Sequence, residues 1–224
     1  MDKVVVSVGG SILLPEERAA ERIREIAMLL KDSVRAVELF VVVGGGGTAR
    51  YYINMGRALG CSEALLDEMG IAITRVNAML LAAALGESAP IPHTIEEALE
   101  AKEHHGIVVM GGTVPGHTTD AVSALLAERS GAARFVNATA VDGVYSADPA
   151  QDPDARRYDR MSFAELAEVC GRSLHKAGPH VVLDPEAVRI LSGARIPTIV
   201  VHGGDMGSLR GAILGRGFRG TVIE

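Results

Sequence analysis

The sequence predicts an α/β fold, a three-layer sandwich in which a mostly parallel central sheet carries helices on both faces. Four apolar, β-branched runs each end in consecutive glycines, as buried parallel strands do at a ligand-binding edge. Segments with helical periodicity separate these runs, and strand–helix alternation is typical of a parallel sheet. The 224 residues, 48% hydrophobic and 22% charged, are enough to bury the core of one globular domain.

The four apolar runs share one pattern, a continuous buried strand that leads directly into glycine. Paired glycines let the backbone approach a ligand closely, and open parallel sheets bind ligands at the carboxyl ends of their strands. Backbone N–H groups gathered there can hold an anion, and we expect phosphate. The runs are residues 4–8 before Gly9 and Gly10, 40–43 before Gly44, Gly45, Gly46 and Gly47, 107–110 before Gly111 and Gly112, and 199–202 before Gly203 and Gly204.

The first half of the chain alternates strands with amphipathic helices. Ile23, Ile26 and Leu30 follow helical spacing and predict a helix over residues 16–31. A long helix over 62–85 is expected to be interrupted near Gly70, and its apolar end should lie in the core or an interface. The other elements expected in this half are strands at about 38–43, 89–91 and 106–110 and helices over about 46–59 and 94–103.

The second half continues the alternation and adds one long loop over residues 142–160, rich in Asp, Pro and Ala. Loops of this length in compact domains are often functional. The remaining expected elements are helices at about 119–129, 162–173, 185–193 and 207–214 and strands at about 133–138, 197–202 and 220–223.

Composition excludes several classes of protein. The net charge of −6 argues against a broad nucleic-acid surface. No run approaches 18 apolar residues, which predicts no membrane span, and a first strand near residue 3 leaves no room for a signal peptide. Cys61 and Cys170 form neither a disulfide framework nor a metal-type spacing. We therefore expect a cytoplasmic protein that neutralises a bound polyanion locally, with amides, helix N-termini, a few arginines and Mg²⁺.

The segment from Gly111 to Asp120 is the richest in polar groups. Two glycines, a Pro–Gly turn, three threonine hydroxyls and a carboxylate converge where a strand gives way to a helix. Thr118 or Thr119 could cap that helix, and either hydroxyl could equally donate to a phosphate oxygen. Such a density of polar groups indicates a binding turn.

In these blocks the chain resembles the amino acid kinase superfamily and, within it, the archaeal type of uridylate (UMP) kinase. The Gly-His-Thr-Thr-Asp and Asp-Gly-Val-Tyr blocks together are specific, and the matching pieces follow the family order along nearly the whole chain. They are Gly9-Gly10-Ser11, Gly44-Gly45-Gly46 with Ala49-Arg50, Asp67 with Gly70 and Ile73-Thr74-Arg75 before Asn77, Gly111 through Asp120, Asp142 through Tyr145 with Asp148, and Lys176-Ala177-Gly178 with Asp184.

The resemblance implies transfer of the ATP γ-phosphoryl group to UMP, in line and without a covalent intermediate. It assigns the ribose hydroxyls of UMP to Asp67, and the base and monophosphate to the turn 115–121. The implied UMP-binding residues are Gly44, Gly45, Asp67, Gly70, Thr74, Pro115, Gly116, His117, Thr118, Thr119, Asp120 and Ala121. The implied ATP-binding residues are Gly9, Gly10, Ser11, Gly45, Gly46, Arg50, Thr139, Tyr145 and Asp148. The implied catalytic residues are Asp120, Asp184, Arg50 and Lys176, with Mg²⁺ carried by ATP rather than fixed by protein side chains.

One position departs from the family pattern. Many members place a lysine two residues before the first glycine pair, where this chain has Ser7, and a related pattern has lysine at the position of Gly47. Arg50, Arg75, Lys176 or Lys3 could supply the missing positive charge. A non-catalytic nucleotide-binding module is therefore kept as an alternative. Isopentenyl phosphate kinase and other small-acceptor kinases of the same fold are further alternatives, although residues 47–50 lack the histidine of isopentenyl phosphate kinases.

The resemblance also implies an organisation for the whole molecule. A single amino acid kinase-like domain is expected over residues 1–224, with an acceptor-binding half over about 1–130 and an ATP-binding half over about 131–224. A homohexamer built from dimers is implied, with UMP and ATP as partners and neither nucleic acid nor membrane. Pyrimidine nucleotide biosynthesis is the implied pathway.

Overall fold

A computed structural model describes residues 1–86, 90–149, 151–152, 154–173 and 182–224, with only the backbone considered at 170–173. Within these residues the strands form a single seven-stranded sheet in the order β3-β2-β1-β4-β6-β7-β5. Every neighbouring pair is parallel except β6 and β7, which are antiparallel. The strands are β1 (Asp2–Val8), β2 (Val37–Val43), β3 (Ile107–Met110), β4 (Arg134–Thr139), β5 (Arg160–Met161), β6 (Thr198–His202) and β7 (Gly220–Ile223).

The helices cover both faces of the sheet, which confirms the predicted three-layer class. One layer contains α1, α2, α4 and α9, and the other contains α5 to α8. The bounds are α1 (Gly10–Leu13), α2 (Ala19–Ser33), α3 (Gly46–Ala58), α4 (Glu63–Leu85), α5 (Ile95–Lys102), α6 (Thr119–Ser130), α7 (Phe163–Ser173), α8 (Pro185–Ala194) and α9 (Met206–Leu214).

Strand periodicity divides the core into two clusters. Val4, Val6 and Val8 of β1 pack toward α2, α4 and α9. Val5 packs toward α6 and α8, because successive side chains of a strand point to opposite faces. By the same alternation, Ser7 lies on the α6 face, and it is almost fully buried. The residue that replaces the family lysine therefore faces the N-terminal region of α6.

Strand order creates a switch point beside β1. The chain runs from β1 to β2 and β3 on one side, then crosses back to place β4 on the other side of β1. Open α/β sheets bind ligands outside the carboxyl ends of strands at such a reversal. We call this side of the sheet the carboxyl edge; the four glycine runs lie there, as predicted.

The structure corrects the prediction in α4. The helix continues through Gly70 without interruption, since Gly70 faces the packed helix α3, where a Cβ would lie 3.3 Å from Ile53 Cδ1. Its apolar end is not buried all round, because Met79 and Leu80 are exposed. Of the described helices α4 alone is long and apolar enough to cross a bilayer, but its buried side packs against the sheet as a core helix does.

Short elements account for the other differences. No strand forms at Pro90 or Ile91, and residue 89 lies outside the described part of the chain. The predicted loop 142–160 ends in the two-residue strand β5, which pairs with β7, and Tyr145 forms an isolated bridge with Arg157. Sequence periodicity cannot reveal such pairings, because a two-residue strand has no pattern of its own.

Candidate active site

Backbone hydrogen bonds join the glycine loops into one surface at the carboxyl edge. Gly44 N donates to Val8 O at 2.9 Å, and Gly9 N donates to Ala138 O at 3.0 Å. Gly203 N donates to Thr139 O at 2.8 Å. The loops after β1, β2, β4 and β6 are therefore fixed relative to one another, and three of the four predicted glycine runs lie in these loops.

Gly10 and Gly46 allow two of these loops to touch backbone to backbone. A Cβ on Gly10 would lie 2.3 Å from Gly46 N, and a Cβ on Gly46 would lie 2.6 Å from Gly10 C. Gly46 also has φ of 64°, a conformation that favours glycine. These glycines thus serve the packing of loop on loop in addition to any approach to a ligand. Gly45 packs against Ala49, and exposed Ser11 lies in the first turn of α1.

Helix N-termini add partial positive charge to this edge. α1, α3 and α9 each begin within four residues of a strand end, α6 begins after the turn that follows β3, and α8 packs along α6. A helix start carries partial positive charge that favours an anion, and at the starts of α6, α8 and α9 the capping side chains of Thr118, Asp184 and Asp205 already accept hydrogen bonds from some of the N–H groups. An acidic chain can hold phosphate locally in this way.

Thr118 and Asp184 connect the starts of α6 and α8. Thr118 Oγ1 accepts from Ala121 N at 3.0 Å, which identifies Thr118 rather than Thr119 as the cap of α6. Asp184 Oδ1 accepts from Glu186 N at 2.8 Å and Ala187 N at 3.0 Å. Asp184 Oδ2 accepts from the Thr118 hydroxyl. The two predicted site residues therefore meet, each as a helix cap.

Asp120 lies beside this pair in an environment that disfavours its charge. Burial, and after it the nearby Asp184 carboxylate, raise the pKa of Asp120 to about 6. Ser7 Oγ donates to Asp120 Oδ1 at 3.2 Å, a contact that opposes the shift. At the position where the family resemblance implies a lysine, this chain has the neutral hydroxyl of Ser7.

The acceptor side of the edge is organised by α4. Asp67 Oδ2 accepts from Gly116 N at 2.9 Å, so Asp67 meets the turn to which the sequence assigns UMP. Thr74 is buried, and its hydroxyl donates to Ile71 O and accepts from Gly112 N at 2.7 Å. Thr74 therefore contacts the strand-to-helix turn from behind. Gly70, by contrast, faces α3.

The turn itself is open to solvent. Pro115, Gly116, His117 and Thr118 are exposed, whereas Ala121 is buried in the first turn of α6. Gly116 has φ of 87°, which only glycine adopts readily. An exposed turn beside a helix N-terminus is accessible to a small anionic ligand.

Asn77 is a site residue that sequence reasoning did not single out. Its buried side-chain amide donates to Gly44 O at 2.9 Å and to Gly45 O at 3.3 Å, which fixes the loop after β2. A polar amide on the core-facing side of an otherwise apolar helix is the signal that could have indicated it, because buried amides need partners.

The predicted ATP side centres on Asp142. Tyr145 Oη donates to Asp142 Oδ1 at 2.6 Å, and this hydrogen bond raises the pKa of the Tyr145 hydroxyl above its usual value. Arg219 Nε donates to Asp142 Oδ2 at 2.7 Å, and Arg157 reaches the same oxygen at 3.3 Å. Asp142 thus joins the long loop to the start of β7, and sequence reasoning had not singled out either arginine.

Thr139 and Asp148 are two other residues that the resemblance assigns to ATP. Thr139 ends β4, half-buried, and its carbonyl holds the loop after β6 through the hydrogen bond to Gly203. Asp148 Oδ2 accepts from Gln151 Nε2 at 3.0 Å within the long loop.

The candidate cations differ sharply in position. Lys3 lies near the start of β1, at the end of the strand opposite the carboxyl edge, and its Nζ donates to Ser130 O. It therefore cannot supply the positive charge expected near Ser7. Arg75 donates to Gly112 O and Thr113 O. Arg50 is exposed on α3, and within the described residues it forms no ion pair. Lys176 lies outside the described residues.

No group of three or more His, Cys, Asp or Glu side chains able to hold a metal occurs in the described part of the chain. Asp120 and Asp184 are neighbouring carboxylates at the starts of α6 and α8. One or two carboxylates together with substrate phosphates suit Mg²⁺, which retains several waters. The donor set therefore fits a metal that arrives with a nucleotide.

Comparison with known proteins agrees with this geometry. The model of the amino acid kinase family matches residues 2–202. The uridylate kinase of Archaeoglobus fulgidus is 48% identical over 222 residues, covering 99% of both chains, and that of Methanospirillum hungatei is 47% identical over 227 residues, covering 100% of this chain and 95% of the other.

Solved structures give the same result. The crystal structure of uridylate kinase from Archaeoglobus fulgidus matches with a TM-score of 0.90 and 46% identity over all of both chains. The UMP kinase from Bacillus anthracis, at 21% identity, shares the fold with a TM-score of 0.82, covering 100% of this chain and 96% of the other. The chain belongs to the amino acid kinase family and groups within it with the archaeal uridylate kinases.

Proposed function

We propose that this protein is an ATP-dependent UMP kinase that transfers the γ-phosphoryl group of ATP to UMP, giving UDP and ADP. The observation that carries the proposal is the contact of Asp67 with the Gly116 turn at an edge built from glycine loops and helix N-termini. The full-length relatives at 41–48% identity are named uridylate kinases, which supports UMP as the acceptor.

The chemistry asks little of a general base. The phosphate oxygen of UMP is already anionic at neutral pH, so catalysis must come from alignment and from reduced repulsion between two anions. Backbone amides and helix N-termini can align the two phosphates and reduce their repulsion without a protein nucleophile. The interlocked loops hold these groups in place before substrate arrives.

The acceptor is assigned to the half of the edge that α4 organises. Asp67 would accept hydrogen bonds from the ribose hydroxyls, and residues 115–121 would hold the base and monophosphate. Gly44 and Gly45, held by Asn77, would line the transferred group.

ATP is assigned to the loops after β1, β4 and β6. Gly9, Gly10 and Arg50 would face its phosphates, and Tyr145, held by Asp142, would contact the adenosine. Mg²⁺ bound with ATP would screen phosphate charge, and Asp120 and Asp184 are the carboxylates placed to orient its waters or the active-site cations. Lys176 stays a candidate among those cations.

Self-association is part of the proposal. The outer faces of the packed helices α3 and α4 expose large apolar side chains, and such patches mark interaction sites. Homo-oligomers are the usual occupants of such faces in soluble enzymes, and we infer a dimer-based homo-oligomer, a hexamer by family resemblance. The exposed residues are Tyr51, Tyr52, Met55, Leu59, Leu65, Val76, Met79 and Leu80.

The test is a coupled ADP-release assay with Mg-ATP against UMP, CMP, dUMP, AMP, GMP and isopentenyl phosphate. Strong preference for UMP supports the proposal in full. Turnover on isopentenyl phosphate would retain the ATP site and overturn the assignment of Asp67. Binding of ATP with no turnover on any acceptor would favour the non-catalytic alternative raised by Ser7.

A further inference from the structure

Three side chains of α4 hold the turn between β3 and α6, which we call the acceptor turn (residues 112–118). Thr74 Oγ1 accepts from Gly112 N at 2.7 Å. Arg75 Nε donates to Gly112 O at 3.1 Å, and Arg75 Nη2 donates to Thr113 O at 2.9 Å. Asp67 Oδ2 accepts from Gly116 N at 2.9 Å. The turn is therefore fastened to one helix at both of its ends.

The contacts to the acceptor turn come from two turns of α4. Positions 67 and 75 are separated by eight residues, which is about 12 Å along a helix, and they share a helix face. Inside the turn, the backbone hydrogen bond from His117 N to Val114 O is long, at 3.4 Å. The conformation of the turn thus depends on α4 more than on its own hydrogen bonds.

Unlike the arginines of the described residues that form ion pairs, Arg75 directs its side chain only to backbone carbonyls. Its half-buried guanidinium contacts two successive backbone carbonyls, and no carboxylate of the described residues lies within ion-pair distance. A fork of N–H donors matches two neighbouring acceptors in a way that lysine cannot. Sequence reasoning offered Arg75 as a phosphate-neutralising cation, whereas the geometry commits its donors to the backbone.

We propose that Arg75 is a positioning residue that sets the conformation of the acceptor turn and thereby the affinity for the nucleoside monophosphate. The inference rests on the proposed function, because the turn is the one assigned to UMP. Arg75 acts through Gly112 and Thr113 rather than by touching the reacting atoms. Its effect should therefore fall on the acceptor and spare the ATP side, which other loops form.

The kinetic test compares Arg75→Met with Arg75→Lys. Methionine retains most of the apolar stem and removes both hydrogen bonds, so KM for UMP should rise about tenfold while KM for ATP changes less than about twofold. Lysine retains a charge and can serve one carbonyl, so Arg75→Lys should recover part of the loss. Arg129→Met is the matched control, since Arg129 is an exposed arginine at the far end of α6, paired with Glu96.

Amide hydrogen exchange without nucleotide supplies a second measurement that needs no activity. Exchange at Gly112 and Gly116 should accelerate in Arg75→Met and stay at the wild-type rate in Arg129→Met. If wild type shows no turnover on UMP, the proposed function fails while exchange still decides the role of Arg75. Unchanged exchange with unchanged KM for UMP, or an equal rise in both KM values, would overturn the inference. If Arg75→Met does not fold, Arg75→Lys carries the same comparison.

Discussion

Asp120 illustrates how a single residue gains its chemistry from its surroundings. Burial and the Asp184 carboxylate raise its pKa to about 6, so its neutral form is favoured in the folded chain. Stability from this group is fully present below the unfolded pKa near 3.8 and is lost as pH rises through about 6. At neutral pH the ionised carboxylate therefore costs folding free energy, on the order of 3 kcal/mol. Functional sites often accept such a cost.

Asp120→Asn should raise stability and lower activity together. The free energy of unfolding at pH 7.5 should increase by about 1–2 kcal/mol, and the gain should vanish near pH 4, where wild-type Asp120 is protonated. Turnover should fall at least about tenfold if Asp120 organises the cation site. Urea denaturation at the two pH values and steady-state kinetics measure both effects. Asp32→Asn, which changes an exposed carboxylate on α2, is the control. Wild-type turnover in Asp120→Asn would remove this residue from the active site.

Asp67 is the residue that should separate the two substrates. Asp67→Ala should raise KM for UMP at least about tenfold and alter KM for ATP little, because a charged acceptor of hydrogen bonds is lost from one side only. Asp67→Asn retains an oxygen for Gly116 N and should preserve the acceptor turn. A loss in Asp67→Asn similar to that in Asp67→Ala assigns the effect to the carboxylate rather than to the turn. Equal increases for UMP and ATP would show that the acceptor binds elsewhere.

The loops and helices act as elements because their backbones interlock. Gly10 packs against Gly46, and the Asn77 side-chain amide donates hydrogen bonds to two carbonyls of the loop after β2. A helix such as α4 therefore does more than cover the sheet, since three of its side chains reach the acceptor turn. Local changes at these contacts should be transmitted to the whole carboxyl edge.

Gly10→Ala should disrupt this edge. Its Cβ would meet backbone atoms of residues 44–46 at 2.3–2.6 Å, so one loop must move, and we expect a loss of about 1–3 kcal/mol of stability with a large loss of turnover. Gly193→Ala is the matched control, because a Cβ at this exposed position of α8 would meet nothing within 4 Å. It should gain about 0.5–1 kcal/mol from helix propensity and retain activity. Thermal unfolding measures the stability of both variants, and steady-state kinetics measures their turnover. Similar stability and turnover in Gly10→Ala and Gly193→Ala would contradict the interlocking of the loops.

At the scale of the whole molecule, the exposed apolar face of α3 and α4 sets the expected assembly. Met79 is 58% exposed, and Val76 and Leu80 lie on the same side of the helix. A monomer would leave these side chains in water. Met79→Glu should therefore shift the protein to smaller species, because a buried unpaired charge is costly at an interface. Light scattering coupled to size exclusion measures the change, with Met28→Glu at an exposed position of α2 as control. A wild-type monomer would contradict the assembly.

The sequence by itself indicated all the described helices but the four-residue α1, the strands other than β5, and the edge at which the glycine loops lie. Apolar β-branched runs, glycine pairs and helical periodicity are local patterns, and each predicts a strand, a loop or a helix from neighbouring residues alone. The family resemblance then follows from blocks such as residues 111–120 and 142–145, which lie on those loops. The division into an acceptor half and an ATP half stays a prediction.

Only the tertiary structure decided which side chains meet. The hydroxyl of Ser7 reaches Asp120 across 113 positions, Arg75 reaches residues 112 and 113, and Arg219 reaches Asp142 across 77. The continuity of α4 through Gly70 and the exposure of Met79 likewise depend on what packs beside the helix. These contacts join distant parts of the chain, so no local pattern encodes them; they arise when helices settle on the sheet and buried polar groups find partners.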